Sequence, residues 1–210
     1  MPNASTLWTS RERALLRGLS TPLRVQQFLD ATPYSSDPIY RCPRRVISDR
    51  RAHCVDGALF AAAALRFHGH RPMVCWINAE QDDGHLLALV RSGSQWGAVA
   101  KSNFVGLRFR EPVYRSLREL VLSYFNDYFN ADGYRSMRSY TRPLDLSRFD
   151  RLNWMTSQDG VPPIVDDALD RLTTSSIAPA KVIRGLTHVD SRTLKAGMLG
   201  VSKAGLFKPS

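Results

Sequence analysis

Residues from Ser10 to about Ala31 read as helical, with Leu15, Leu16, Leu19, Leu23 and Phe28 on the apolar side. Ser10 stands at its start as a candidate N-cap, and Pro22 divides it in two, because proline lacks the N–H that an interior turn needs. A segment from Thr32 to about Asp49, rich in proline, serine and aspartate, reads as a loop. It leads into a second helical pattern that begins at Cys54, in which Ala58, Ala61, Ala62 and Leu65 form a stripe of small side chains suited to close packing on a sheet. Gly69 stands where a C-terminal cap belongs.

Beyond that helix the period changes to strands. Pro72 to Asn78 and His85 to Val90 are β-type apolar runs separated by an acidic turn, and Ser92-Gly93-Ser94 predicts a hairpin into Gln95 to Ser102. Tyr114 to Tyr128 returns to helical spacing through Leu117, Leu120, Val121, Tyr124 and Phe125. The pattern predicts an α+β fold, with a cysteine-bearing helix packed on an antiparallel sheet and flanked by further helices. We divide it into a core over residues 1–145 and a partly irregular extension over 146–210. In that extension Asp166 to Leu172 predicts a short helix, and Ser175 to Ser210 reads as a strap or tail.

Composition narrows the class. With 43% hydrophobic and 23% charged residues the 210-residue chain reads as a folded domain with extensions. No apolar run reaches the ~18 residues a membrane span needs, and Met1 to Thr9 lacks a charged-then-apolar leader pattern, which together predict a cytoplasmic protein. Cys42, Cys54 and Cys75 cannot all pair, and none has zinc-ligand spacing, so free thiols and no metal are expected. Cys75 lies in an apolar run as a buried small residue, and nothing gives Cys42 a chemical role. The net charge of +10 raises nucleic acid as a partner, but the arginines are dispersed from Arg11 to Arg192, with neither a basic helix nor an RNA-binding sheet signature, which argues against it. In the tail, Lys181, Arg184, Arg192, Lys195, Lys203 and Lys208 face a single acid, Asp190.

Candidate chemistry centres on Cys54. A cysteine at a helix N-terminus, behind Arg50, Arg51 and His53, meets open backbone N–H groups and the positive end of the helix dipole, which predicts a thiol drawn toward or below neutrality. His85, opening a strand after Asp82-Asp83-Gly84, is the candidate base, placed at the rim where a sheet strand can reach a helix N-terminus. His53 adjoins the cysteine, but neighbouring side chains diverge, so it reads as a helix-entry residue. His68 and His70 lie at the far end, about 20 Å away at 1.5 Å per residue. A hairpin centred on Gly93 sets His85 opposite Lys101 and puts Asn103 on the same face as the histidine, favouring Asn103 as the orienting group; a one-residue slip brings Ser102 there instead. Asp56 reads as support for the helix dipole. Tyr124, Phe125, Tyr128, Phe129, Tyr134 and Tyr140 are dense enough to line a groove, though core packing accounts for most of them.

The run His53-Cys54-Val55-Asp56-Gly57-Ala58, with Ala63-Ala64-Leu65-Arg66-Phe67-His68-Gly69 behind it, resembles the cysteine helix of the transglutaminase-like superfamily. His85 at a strand start and Trp96 ahead of a third segment follow in that family's order, so the resemblance covers roughly residues 44–128. It implies a papain-like Cys-His-Asp arrangement, a peptide or protein substrate, no cofactor, and cleavage or exchange of an amide through a thioester on Cys54. The chain departs from the family after the tryptophan, where Gly97-Ala98-Val99-Ala100-Lys101-Ser102-Asn103 contains no acid. The resemblance therefore leaves two expectations: a working Cys54, His85 and Asn103 set, or a catalytically silent module that binds a peptide or protein.

Overall fold

The computed structural model describes residues 7–157 and 161–207. The N-terminal pattern forms two helices, α1 (Ser10–Gly18) and α2 (Pro22–Asp30), divided where Pro22 opens the second. The cap of α1 is Thr9 and not Ser10: its hydroxyl accepts from the Glu12 N–H while the Glu12 carboxylate accepts from the Thr9 N–H. Within the expected loop, Pro43 opens a further helix, α3 (Pro43–Asp49), since its fixed φ suits a first turn. The cysteine helix α4 spans Cys54–Phe67, and Gly69 follows at φ 89°, the left-handed turn that ends it.

Seven strands form one antiparallel sheet among the described residues. β1 (Met73–Ala79), β2 (His85–Ser92), β3 (Gln95–Val99), β4 (Arg110–Tyr114), β5 (Met137–Thr141), β6 (Leu144–Asp145) and β7 (Thr174–Ser176) take the order β4-β3-β2-β1-β5-β7, with β6 also paired to β1. The β2–β3 ladder pairs Ser92 with Gln95 around a two-residue Gly93-Ser94 turn, and it runs to Ala88 opposite Val99 before ending. Gly93 has φ 57°, while Ser94 is not among the positive-φ residues, the pattern of a II′ hairpin. Centred between Gly93 and Ser94, the register does not pair His85 with Lys101; His85 pairs on its other side with Ile77 of β1.

The expected helix from Tyr114 is shorter, because Tyr114 belongs to β4 opposite Trp96, and α5 runs only over Leu117–Leu122 behind a Ser116 cap. Later helices are α6 (Val161–Asp170), α7 (Ala180–Arg184) and α8 (Ser191–Gly197). Lys208 of the basic tail lies outside the described residues.

Both faces of the sheet are covered, which is why β2 reads as a continuous apolar run and does not alternate with polar residues. Leu86, Ala88 and Val90 pack with α4, whose residues 55–65 are all buried, whereas Leu87 and Leu89 pack with Leu120, Tyr124 and Tyr128 on the other side. Trp154, Met155, Val165 and Leu169 add to the α4 side. Gly57 marks the closest approach: a Cβ there would stand 2.2 Å from Cβ of Lys101. That lysine is buried and donates from Nζ to the Leu29 carbonyl at 2.8 Å, closing the C-terminal end of α2.

Candidate active site

Three local devices place the thiol. His53 caps α4, its Nδ1 accepting from the Val55 N–H at 3.1 Å, so it is the helix-entry residue and its imidazole is engaged there. Asp56, fully buried, accepts from the main-chain N–H of Arg41 at 2.7 Å and of His53 at 3.2 Å. Arg41, itself only 4% exposed, reaches Asp37, Asp49 and Asp56, tying the loop before α3 to the start of α4. Burial pushes Asp56 up to about 6 against the pull of that guanidinium.

Cys54 Sγ lies against the main chain on either side of His85. The thiol faces the Gly84 carbonyl at 3.9 Å and is approached by the Leu86 N–H. Gly84 admits no side chain, since a Cβ there would enter the Trp76 indole at 2.2 Å. Alternation along β2 puts His85 on the face of Leu87 and Leu89, so imidazole and thiol reach the strand start from opposite faces. Among the described residues no hydrogen bond joins Sγ to the ring.

The His85 ring is held from behind. Its Nε2 stands 2.7 Å from the Leu107 carbonyl, and because a carbonyl only accepts, Nε2 carries the proton and Nδ1 is left as the base. Tyr128 packs edge-on to the imidazole at 6.5 Å and donates from its hydroxyl to the Asp83 carbonyl. Leu107 ends a 3₁₀ turn, Val105–Leu107, which Arg110 secures by donating to the Gly106 carbonyl at 2.8 Å while pairing with Asp127.

Asn103 lines the same cleft but does not orient the histidine. Its Nδ2 donates to the carbonyls of Ser202 and Gly205, at 2.9 and 3.1 Å, and its Oδ1 accepts from the Ser202 N–H at 2.9 Å. The expectation that Asn103 fixes His85 is thus corrected: the β2–β3 ladder stops at Val99, and the chain beyond it turns toward the C-terminal segment. Ser102, the alternative, has a hydroxyl that accepts from the Phe104 N–H at 3.0 Å.

Cys54, His85, Ser102 and Asn103 line one cleft of about 530 Å³, together with Tyr34, Tyr40 and Tyr128. The Cys54 thiol and the His85 imidazole are both neutral at pH 7. Burial, then the Asp83 charge, pushes the Cys54 thiol up to about 12, with the Leu86 and Val55 N–H groups pulling the other way, and burial pushes His85 down to about 4. This reverses the expectation from the helix dipole, because the dipole acts on a site that has little water to share the charge. No His, Cys, Asp and Glu group able to hold a metal occurs among the described residues, and no helix there is long and apolar enough to cross a membrane.

Sequence reading missed the Leu107 carbonyl, since a main-chain acceptor leaves no residue-type signal, and it missed Tyr34, Tyr40 and Asp83. Of the dense aromatics, Tyr128 reaches the cleft while Tyr124, Phe129 and Tyr140 are core. The remaining histidines stand apart: His68 Nε2 meets the Leu16 carbonyl at 2.8 Å, and His188 packs edge-on to Tyr134. No model of a known protein family and no curated protein matches this chain.

Proposed function

We propose that the chain is a thiol-dependent hydrolase or acyl transferase of the transglutaminase-like, papain-like type, acting on an amide bond through a thioester. The observation that supports it best is that a helix-N-terminal thiol and a histidine whose Nε2 is fixed by the Leu107 carbonyl line a single cleft. The carbonyl takes the place that a side-chain acid or amide fills in a triad. Because the resting pair is neutral, proton transfer accompanies attack. As the S–C bond forms on the substrate carbonyl carbon, the thiol proton passes to His85 Nδ1; catalytic hydrogen bonds that are open in a free enzyme close in its substrate complex. The Cys54 N–H, one of the first-turn donors that a helix leaves open, faces the developing oxyanion, a contact worth about 3 kcal/mol. The C–N bond then breaks as His85 returns its proton to the leaving amine. Water or an acceptor amine attacks the thioester, giving a proton to His85, which passes it to the departing sulfur. No cofactor enters this scheme.

A second reading, a silent peptide-binding module, is favoured by the absent Sγ–imidazole hydrogen bond and the raised thiol. One experiment separates them: incubation with p-nitrophenyl acetate, followed by quenching and peptide mapping. The hydrolase reading expects one acetyl group on Cys54, none in Cys54→Ser, and formation at least about a hundredfold slower in His85→Ala. Equal rates in wild type and His85→Ala leave only the binding module.

A further inference from the structure

The cleft holds a feature that the net charge of the chain conceals. Among the described residues five aspartates line it, Asp37, Asp82, Asp83, Asp166 and Asp170, and no lysine or arginine does, on a chain of net charge +10. Asp37 is matched from outside by Arg41 and Arg51, and the other four form no ion pair among the described residues. Asp82 accepts from the Ser136 hydroxyl at 2.6 Å, and Asp166 accepts from Tyr40 at 3.3 Å. Low-dielectric walls lined with one sign of charge focus the potential, so the cleft attracts cations although the surface as a whole repels them.

A second and independent observation shows what kind of molecule the rim receives. The Asn103 amide bonds both main-chain groups of Ser202, N–H and carbonyl, and the carbonyl of Gly205 as well. This pairing recognises a peptide backbone without reference to its side chains. Gly205 lines the cleft, and a Cβ on it would come within 2.7 Å of the Tyr34 ring. The chain's own segment 202–205 therefore sits as a peptide at the mouth of the cleft.

We infer that the ligand of this cleft is a basic peptide, whose main chain is received by Asn103 at the place now filled by residues 202–205. This rests on the hydrolase or binding reading above only for the choice of cleft. The aspartates supply selection for lysine or arginine, Asn103 supplies main-chain registration, and the C-terminal segment competes for the same amide. A tethered competitor acts at an effective concentration on the order of mM, so it sets a threshold that a free peptide must exceed.

The test uses the full chain carrying Cys54→Ser, so that no chemistry is needed, and it stands or falls separately from the acetylation experiment. A fluorescein-labelled peptide of residues 201–207, with Lys203 kept or replaced by glutamate, is titrated and followed by anisotropy at low salt. The same titration is made with Ser202→Pro, which removes the N–H that Asn103 accepts, and with Gly205→Val, which crowds Tyr34. The lysine peptide is expected to bind both tail variants at least about tenfold more tightly than the parent. It is also expected to bind at least about tenfold more tightly than the glutamate peptide, the preference shrinking as salt rises. Equal affinity for the two peptides, preference for glutamate, or affinities unmoved by either tail substitution overturns the inference.

Discussion

The two walls of the cleft are held by different means. On the side of Cys54 and His85, residues 55–65 of α4 are all buried, His85 is buried, and the groups that fix them are inside the core. On the side of the C-terminal segment, no residue from 186 to 207 is buried, and attachment comes from a few contacts, among them the Val189 N–H to the Gly133 carbonyl and the Asn103 amide. Reacting atoms need fixed positions, whereas a wall that must yield to a substrate has to open at low free-energy cost. On the proposed reading, chemistry belongs to the first wall and admission to the second.

The largest change is expected where the first wall joins its loop. Arg41→Ala leaves Asp56 buried without its cation, and urea unfolding is expected to show a loss of about 3–5 kcal/mol. A loss under about 1 kcal/mol would place the support of the α4 start elsewhere. Next comes pH. Burial lowers His85 from 6.5 to about 4, so between those values the unfolded chain binds the proton preferentially and stability falls as pH falls. Relative to His85→Asn, wild type is expected to lose up to about 3 kcal/mol across that window, and parallel stability curves for the two proteins contradict it. Gly57→Ala sets a Cβ 2.2 Å from Lys101 Cβ, and calorimetry is expected to register about 1–3 kcal/mol of overpacking. Smallest is Gly205→Val on the second wall, where stability is expected to move by less than about 0.5 kcal/mol; a cooperative loss like that of Gly57→Ala would unite the two walls.

What the sequence disclosed follows the same division. The small-residue stripe of α4, the apolar run of β2 and the Gly93 turn are local patterns with a fixed period, and the cysteine helix, the hairpin and the antiparallel sheet all appear where those patterns stand. The thiol and the histidine were legible because each sits at the end of such an element. Asn103 was misread because strand register was extended past Val99, where pairing had stopped, and the true partner of His85 is a carbonyl. The raised thiol was illegible for a different reason: the dipole of a helix can be inferred from residue order, but the loss of water around its first turn depends on Trp76, Asp83 and Tyr128, brought in from three other places in the chain.

The Leu107 carbonyl has one more consequence. A histidine oriented by a side chain depends on one codon, whereas this one depends on the course of a turn. On the proposed hydrolase reading, an alanine scan of the cleft would therefore register the nucleophile and the base and pass over their third member. The sensitive positions should be those that shape the turn: Gly106, where a Cβ would meet Asp127 at 2.4 Å, and Arg110, which grips the Gly106 carbonyl and stacks on Tyr124 at 4.1 Å. Drift at those remote positions would retune the imidazole while leaving every residue that meets the substrate unchanged.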